Sequence, residues 1–190
     1  MATMRLGTWY KINFMKTIRI ISDTHGTLNA KALGCLYGCD HIIHAGDIVD
    51  SYILRELKEI APVTAVLGNC DDAFLIRGLT RRVVSETIEG VVFAVVHRPT
   101  QLARDLLDVA SYYKSKEQDT APKIIGIHGH THIPETMTGA DAAPADIILC
   151  PGSVSFPRNS YASYCEIIVD DGEVLTCEIK DLDGKTQQKI

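Results

Sequence analysis

The chain has 190 residues, a length that suits one domain. Hydrophobic residues make up 46% and charged residues 23%, an ordinary balance for a globular protein with a buried core. The net charge is −5 and the sequence has no basic stripe, which argues against an extended nucleic acid as partner. No apolar run reaches about 18 residues, so the sequence predicts no membrane span.

The first residues differ in character from those that follow. Residues 1–14 lack a continuous apolar segment because charged side chains such as Arg5 and Lys11 interrupt them, so they do not resemble a secretion signal. Met15 opens a stretch that leads directly into a strand. We therefore predict an N-terminal extension over residues 1–14 and a single domain over residues 15–190.

Six cysteines are spread along the chain without any C-x-x-C pair. Because no secretion signal is evident, they predict reduced thiols in a cytoplasmic protein rather than a disulfide framework. Most of them are expected to be small buried side chains. Cys70 is the exception, because it lies among polar residues.

The first half of the chain alternates buried strands with amphipathic helices. Strands are predicted over residues 17–22, 40–46 and 62–68, each of them a short apolar run. Helices are predicted over 28–38 and 51–60, where apolar residues recur on one face. This order of elements is typical of a parallel sheet that is covered on both faces.

The second half of the chain is richer in strands. They are predicted over residues 81–90, 91–97, 123–128, 145–150, 165–172 and 173–181, with one helix over 100–110. The last two strands are predicted to form a hairpin through Asp171 and Gly172. These strands indicate a second sheet that is more antiparallel than the first.

Polar clusters follow five of the predicted strands, at the point where each strand ends. They contribute carboxylates, imidazoles and one amide: Asp23, His25, Asp47, Asn69, His97, His130 and His132. Because ligands bind beyond the carboxyl ends of strands in open α/β sheets, the clusters converge if these strands share an edge. This set of ligand atoms suits Mn²⁺, Fe²⁺, Ni²⁺ or Zn²⁺. It is too large for one tetrahedral zinc but sufficient for two metals that share a carboxylate, an arrangement suited to displacement at phosphorus.

Each motif taken alone has a structural alternative. Asn69 follows a glycine and is also typical of a turn, and a lone strand-end histidine such as His97 is more often structural than a metal ligand. The segment HGHTH, residues 128–132, is the strongest single signal because it crowds three imidazoles into five residues. The order of the whole set therefore carries the prediction.

In this order, the motifs D-x-H, G-D, G-N, H and G-H-x-H resemble those of the calcineurin-like metallophosphoesterases, in particular the small phosphodiesterases of the YfcE type. The resemblance runs from about Met15 to the end of the chain and includes GNCD (68–71) and PGSVSFPR (151–158). It implies an α/β fold, a four-layer α/β/β/α sandwich in which helices flank two mixed β-sheets. It also implies a metal-dependent phosphodiesterase that acts on small or activated phosphate diesters.

The resemblance further implies how two divalent metal ions are held, with manganese as the expected metal and nickel, iron or zinc as alternatives. One ion would be bound by Asp23, His25, Asp47 and His132, and the other by Asp47, Asn69, His97 and His130. Asp47 would bridge the ions, and a hydroxide between them would be the nucleophile, with His97 and His130 beside it. His44 and His128 are left over and are expected to support the ligands or to be structural.

Three further residues near the predicted ligands have roles that the sequence leaves open between two alternatives. Cys70 stands where many relatives have a histidine thought to assist the leaving group, so esters with good leaving groups are expected to be favoured; the alternative is a packed small residue. Arg98 stands where relatives commonly have glycine, and it either reaches the substrate phosphate or points to solvent. Asp71 either orients a ligand or water from behind, or forms a turn.

Three functions are compatible with these residues. The main prediction is the phosphodiesterase, with a small phosphate ester as partner, no membrane association and, by base rate, a homodimer as the assembly. The first alternative is a non-catalytic scaffold, because the retromer subunit related to this family uses the fold for protein binding; eroded ligands would mark it, and here all seven are present. The second alternative is a nucleotide phosphohydrolase on the same site.

Overall fold

The computed structural model of the chain describes residues 15–74, 76, 81–115, 121–158 and 161–190. The predicted extension over residues 1–14 lies outside them. The strands are β1 (Lys16–Ile21), β2 (His41–His44), β3 (Val63–Ala65), β4 (Val83–Ile88), β5 (Val91–Val96), β6 (Ile124–Ile127), β7 (Pro134–Thr138), β8 (Ile147–Pro151), β9 (Ser163–Asp170), β10 (Glu173–Asp181) and β11 (Thr186–Lys189). The helices are α1 (Ala30–Gly34), α2 (Ser51–Lys58) and α3 (Pro99–Ser115), with a 3₁₀ turn at Gly139–Asp141.

One sheet contains the parallel strands predicted in the first half. Its order is β11-β10-β9-β1-β2-β3, in which β1, β2 and β3 run parallel. The hairpin of β9 and β10 forms as predicted but joins this sheet, because β9 pairs antiparallel with β1 and places Ile167 opposite Ile18. The expectation that all late strands form the second sheet is therefore wrong for this hairpin, whose apolar side chains pack beside those of β1.

The second sheet has the order β4-β5-β6-β8-β7. Its three central strands, β5, β6 and β8, run parallel, and β4 and β7 are antiparallel strands at the edges. β5 is buried along its whole length, as the continuous apolar run VVFAVV predicts. β7 is a strand that the sequence did not predict, since it begins with Pro134 and its remaining side chains are at least partly exposed.

Three apolar layers separate the sheets and helices. The first layer lies between the two sheets, where fully buried side chains such as Ile18 of the first sheet and Phe93 of the second belong to one apolar cluster. Helices α1 and α2 cover the outer face of the first sheet, where Leu57 of α2 is fully buried. Helix α3 covers the outer face of the second sheet with Leu102 and Leu106, one helical turn apart. The molecule is thus the α/β/β/α sandwich expected from the sequence.

The helices differ from their predicted lengths for local reasons. Helix α1 begins after Asn29, whose side chain accepts a hydrogen bond from the backbone N–H of Ala32 (2.9 Å), but it ends at Gly34, well before the predicted end at Gly38. Helix α3 begins at Pro99, where a proline is tolerated, and continues to Ser115. None of the helices in the described residues is long and apolar enough to cross a lipid bilayer.

Candidate metal centre

The seven predicted ligands lie just beyond the ends of strands from both sheets. They follow β1 (Asp23 and His25), β2 (Asp47), β3 (Asn69), β5 (His97) and β6 (His130 and His132). The parallel pairing of β1 with β2, of β2 with β3 and of β5 with β6 places the carboxyl ends of these strands on one side. Two sheets packed face to face then bring the two sets of loops together.

Asp23, His25 and His132 form one group, in which one potential ligand atom from each residue lies within 4.8 Å of the others. Nε2 of His132 is 3.3 Å from Oδ1 of Asp23 and 3.2 Å from Nε2 of His25. Asp23 is fully buried, and its Oδ1 has no hydrogen-bond partner among the described residues. A buried carboxylate oxygen that lacks a donor costs about 1–3 kcal/mol or more. A cation would satisfy this oxygen.

Asp23, Asp47 and His97 form a second group of the same kind. Nε2 of His97 is 3.3 Å from Oδ2 of Asp47 and 3.1 Å from Oδ1 of Asn69. The same Oδ2 of Asp47 lies 3.7 Å from Nε2 of His25, so Asp47 contacts both groups. This central position is the one that a bridging carboxylate would occupy.

His130 completes the cluster from the loop after β6. Its ring lies edge-on to the ring of His97, with 5.2 Å between the ring centroids. Its backbone N–H donates a hydrogen bond to Oδ2 of Asp23 (3.0 Å). The structure therefore brings all seven predicted residues into one cluster.

The backbone at this cluster is strained. Five of the seven residues have φ in the left-handed region: Asp23 (55°), His25 (44°), Asp47 (55°), His130 (71°) and His132 (61°). For residues other than glycine this conformation costs roughly 1–3 kcal/mol each and persists only where the surroundings impose it. Such strain concentrates at functional sites, which makes its coincidence with the predicted ligands informative.

Backbone hydrogen bonds between the loops after β1 and β2 hold Asp23, His25 and Asp47 in this conformation. The N–H of Asp23 donates to the carbonyl of Gly46 (3.0 Å), that of His25 to Asp47 (2.9 Å), and that of Gly26 to Ile48 (2.8 Å). These bonds continue the pairing of β1 with β2 beyond the strand ends. They hold the two loops side by side and fix where their carboxylates and imidazole point.

Two glycines are required by close approach to these carboxylates. A Cβ atom at Gly68 would lie 2.0 Å from Oδ1 of Asp47. A Cβ atom at Gly129 would lie 1.9 Å from Oγ of Ser22 and 2.8 Å from Oδ2 of Asp23. Any side chain at either position would displace a candidate ligand.

The imidazoles of His97 and His132 are oriented by backbone carbonyls. Nδ1 of His97 lies 2.8 Å from the carbonyl oxygen of Ala45, and Nδ1 of His132 lies 2.6 Å from that of Phe156. A carbonyl only accepts, so each Nδ1 carries the proton and donates it. This leaves both Nε2 atoms directed at the carboxylates and, in the neutral rings, free to bind a cation.

Asp71 ties two of the ligand loops together. Its Oδ1 accepts a hydrogen bond from the backbone N–H of Val49 (2.7 Å), and its Oδ2 accepts one from the N–H of Gly68 (2.7 Å). One buried carboxylate thus joins the loop after β2 to the loop after β3. Of the alternatives that the sequence left open, this arrangement favours a positioning residue over a simple turn.

The two leftover imidazoles lie behind the cluster. His44 is fully buried; its Nδ1 accepts from the backbone N–H of Gly46 (3.2 Å) and its Nε2 lies 3.1 Å from Oγ1 of Thr24. Burial lowers the pKa of His44 to about 3, so the ring is neutral and donates from Nε2. His128 is also buried, with Nδ1 3.0 Å from the carbonyl oxygen of Gly129. Both rings organise loops, as the sequence suggested.

The electrostatics of the cluster favour a cation. Burial raises the pKa of the Asp23 carboxyl. Burial also opposes ionisation of Asp47, but the contact with His97 and the N–H of Cys70 (2.8 Å to Oδ1) outweigh it and hold the pKa of Asp47 below its usual range. Burial lowers the pKa of His97, yet its hydrogen bonds to Asp47 and Ala45 raise it overall. A divalent cation among these groups would stabilise both carboxylates in their ionised form.

Comparison with known proteins places the chain in a family. The calcineurin-like phosphoesterase superfamily domain matches residues 15–172. A probable metallophosphoesterase of Methanocaldococcus jannaschii is 32% identical over 170 residues, which cover 86% of this chain and 81% of that protein. The chain belongs to the calcineurin-like phosphoesterase superfamily. The resemblance predicted from the motifs is thereby confirmed.

Solved structures confirm the predicted fold of this superfamily member. The phosphoesterase YfcE of E. coli has a TM-score of 0.65 and 20% sequence identity, over 92% of this chain and 98% of that chain. The Vps29 protein of Entamoeba histolytica, complexed with zinc, has a TM-score of 0.64 and 21% identity, again over 92% and 98% of the two chains. At these identities the likeness establishes the sandwich fold.

In this protein, Cys70 is exposed at the edge of the cluster. Its Sγ lies within 4.8 Å of ligand atoms of His25 and Asp47, and it accepts a hydrogen bond from the side-chain N–H of Asn69 (3.2 Å). Partial burial and the carboxylate of Asp47 raise the pKa of the thiol. The alternative of a packed small residue is therefore wrong, and Cys70 is a protonated thiol beside the candidate ligands.

Two cavities flank the cluster. One, of about 540 Å³, is lined by His25, His132, Phe156, Pro157 and Arg158. Phe156 is half-exposed there, and its ring lies edge-on to His25 with 5.6 Å between centroids. Sequence reasoning assigned no role to Phe156, although it lies in the recognised motif PGSVSFPR. The other cavity adjoins Asn69 and contains the exposed Arg98.

Proposed function

We propose that this protein is a metal-dependent phosphodiesterase that hydrolyses small or activated phosphate diesters with two divalent cations. The observation that carries the proposal is the gathering of the seven candidate ligands. Asp47 lies in contact with His25 and His97, and Asn69 and His130 both adjoin the ring of His97. Manganese is the proposed metal. Nickel, iron and zinc are the alternatives, since a mixed set of carboxylate, imidazole and amide ligands accepts each of them.

The ligands would divide as the resemblance to the family implies. Asp23, His25, Asp47 and His132 would hold one cation, and Asp47, Asn69, His97 and His130 the other. When bound, the two cations would supply an activated water at neutral pH and neutralise charge on the phosphoryl oxygens. The fit is supported by the unpartnered Oδ1 of Asp23 and by the Nε2 atoms of His97 and His132, which their Nδ1 contacts direct at the carboxylates.

The surroundings of the cluster favour an activated ester. Cys70 occupies the position at which an imidazole would assist the leaving group, and a thiol with a raised pKa is a weak acid at neutral pH. The leaving group must therefore depart with little protonation by the protein. Phe156 offers an exposed aromatic ring beside His25, which suits an aryl or nucleobase arm of the substrate.

The test pairs metal content with hydrolysis. The purified protein would be stripped with a chelator and reloaded with Mn²⁺, Ni²⁺, Zn²⁺ or Mg²⁺, and turnover of an aryl phosphodiester and an aryl phosphomonoester would be followed. We expect two metal ions per chain and faster diester hydrolysis. Asp47→Asn should lose both metal and activity, whereas Asp72→Asn, which changes an exposed carboxylate nearby, should keep both.

Each other outcome leads to a different function. Preference for the monoester would favour a phosphomonoesterase or a nucleotide phosphohydrolase on the same site. Tight metal binding without hydrolysis of either ester would refute the enzyme and favour a scaffold for protein binding. Activity that survives in Asp47→Asn would show that the cluster is not the catalytic centre.

A further inference from the structure

A polar cavity of about 450 Å³ opens beside the Asn69 end of the cluster. Its lining residues are Asn69, Arg82, Arg98, Thr100 and Gln101. The volume lies within the range of roughly 300–1,000 Å³ that is typical of small-molecule sites. Because Oδ1 of Asn69 is only 3.1 Å from Nε2 of His97, a group bound in this cavity would lie next to the candidate metal centre.

The cavity carries two positive charges from its arginines. Among the described residues, the arginines paired with carboxylates are Arg19 and Arg104, whereas no carboxylate pairs with Arg82 or Arg98. Arg82 donates one N–H to the carbonyl of Gly68 (3.1 Å), which fixes its guanidinium against the loop that carries Asn69. No other side-chain hydrogen bond within the described part of the chain occupies the remaining N–H donors of Arg82 or those of Arg98, so these donors can meet a ligand.

Guanidinium groups of this kind match an oxyanion. Their planar N–H groups fit the oxygens of a carboxylate or a phosphoryl group in pairs. Thr100 and Gln101, in the first turn of α3, add polar side chains to the same wall. A neutral ligand would leave the two arginine charges in one cavity without a counter-charge.

The opposite end of the cluster has a different chemistry. There the wall of the cavity beside His25 and His132 contains Phe156 and Pro157 along with a single arginine, Arg158. The two arms of a diester whose phosphorus lies at the metal centre would therefore meet unlike surroundings. This asymmetry would orient the substrate, with its apolar arm toward Phe156 and its charged arm toward Asn69.

We propose that Arg82 and Arg98 form a subsite for an oxyanion, either a carboxylate or a second phosphoryl group, carried on one arm of the phosphodiester substrate. The subsite rests on the proposed function, since it selects among phosphate diesters. It gives Arg98 a contact with the anionic arm of the substrate, rather than the contact with the substrate phosphate that the sequence left open. The preferred substrate is thus a diester with one aromatic or apolar arm and one anionic arm.

The kinetic test compares three aryl phosphodiesters that differ only in the second arm, which is neutral, carries a carboxylate or carries a phosphoryl group. With the full-length protein loaded with Mn²⁺, we expect kcat/KM to be about tenfold higher for an anionic arm than for the neutral arm, as befits a charge-assisted contact at a partly solvated site. The better of the two anionic arms identifies the oxyanion. A wild-type protein without this preference would overturn the proposal.

Arg98→Ala is the decisive variant, because Arg82 also supports the Gly68 carbonyl and its removal could shift a ligand loop. We expect Arg98→Ala to lower kcat/KM for the anionic substrate about tenfold, mainly through KM, and to change the neutral substrate less than about twofold. Arg98→Lys should retain part of the preference. Arg104→Ala, which removes the same charge from an exposed position on α3, is the matched control. Equal losses on charged and neutral substrates would overturn the subsite.

A binding experiment separates this inference from the proposed function. Sulfate would be titrated calorimetrically into the full-length wild-type protein, Arg98→Ala and Arg104→Ala. Weaker sulfate binding by about tenfold in Arg98→Ala alone would support the subsite, even if the protein hydrolysed no ester. The same Kd in all three proteins would overturn the subsite, even if diesters were hydrolysed.

Discussion

Asp71→Asn tests whether the candidate metal centre depends on the carboxylate that joins its loops. Asp71 accepts the backbone N–H groups of Val49 and Gly68, both at 2.7 Å. An asparagine at this position has nearly the same shape but only one acceptor oxygen. Its NH₂ group would face one of the two backbone donors, so one hydrogen bond is lost and one backbone N–H is left unpaired.

The size of the effect follows from these contacts. A hydrogen bond to a charged group contributes about 1.5–3 kcal/mol, and an unpaired buried donor carries a penalty of similar size. We therefore expect the free energy of unfolding of the metal-free protein to fall by about 2–3 kcal/mol, which corresponds to roughly 5–10 °C in Tm for a chain of this length. Because the loops of Asp47 and Asn69 are no longer fixed, metal affinity should fall about 10–100-fold.

Urea unfolding of the chelator-treated protein and calorimetric metal titration measure both quantities. Asp72→Asn is the matched control, since its carboxylate is exposed and accepts the local N–H of Phe74 (2.8 Å). It should change stability by less than about 0.5 kcal/mol and leave metal affinity unaltered. If Asp71→Asn unfolds at the same urea concentration as this control and binds metal as the wild type does, the positioning role is refuted.

Three further predictions concern the leaving group, pH and metal. Cys70→His should raise turnover of esters with poor leaving groups more than that of activated aryl diesters, because an imidazolium can protonate the departing oxygen; equal changes in steady-state rates would contradict this role. The pKa of His44 is about 3 in the folded protein, below its usual value near 6.5. Between about pH 6.5 and pH 3 the unfolded chain therefore binds a proton at His44 that the folded protein does not. The free energy of unfolding accordingly falls as the pH decreases through this range. His44→Gln should flatten this dependence by up to about 1.4 kcal/mol per pH unit in urea melts at several pH values, and an unchanged slope would refute the assignment. Mn²⁺ at about 100 times its Kd should stabilise the wild-type protein by about 2.7 kcal/mol per site in thermal unfolding but have a much smaller effect on Asp47→Asn; equal stabilisation of both would place the metal elsewhere.

The parallel strands and their polar ends could be predicted because the sequence encodes them locally. Continuous apolar runs mark β5 and β6, which are buried along their whole length, and shorter apolar pairs mark β1 and β2. The residues that follow each run leave the sheet at its carboxyl end, so convergence of the candidate ligands follows from parallel pairing alone. A cluster formed by five separate segments could therefore be predicted from the sequence without knowledge of which residues are in contact.

The partners of distant strands could not be predicted in the same way. The hairpin of β9 and β10 was recognised from its turn, but its place beside β1 depends on pairing between Ile18 and Ile167, far apart in the sequence. The role of Asp71 has the same origin, since a carboxylate after Gly-Asn-Cys is equally consistent with a turn. Its acceptance of the Val49 N–H depends on how β2 and β3 align, which no local pattern records.

The backbone bonds that join the loops after β1 and β2 have a consequence for amide hydrogen exchange. Backbone amide hydrogens in loops ordinarily exchange with solvent faster than those in helices and strands, because loop N–H groups face water. Here the N–H groups of Asp23, His25 and Gly26 donate to carbonyls of the neighbouring loop, and all three donor residues have left-handed φ. They open only when the β1–β2 ladder itself opens, so these loop amides should exchange as slowly as those of the central strands.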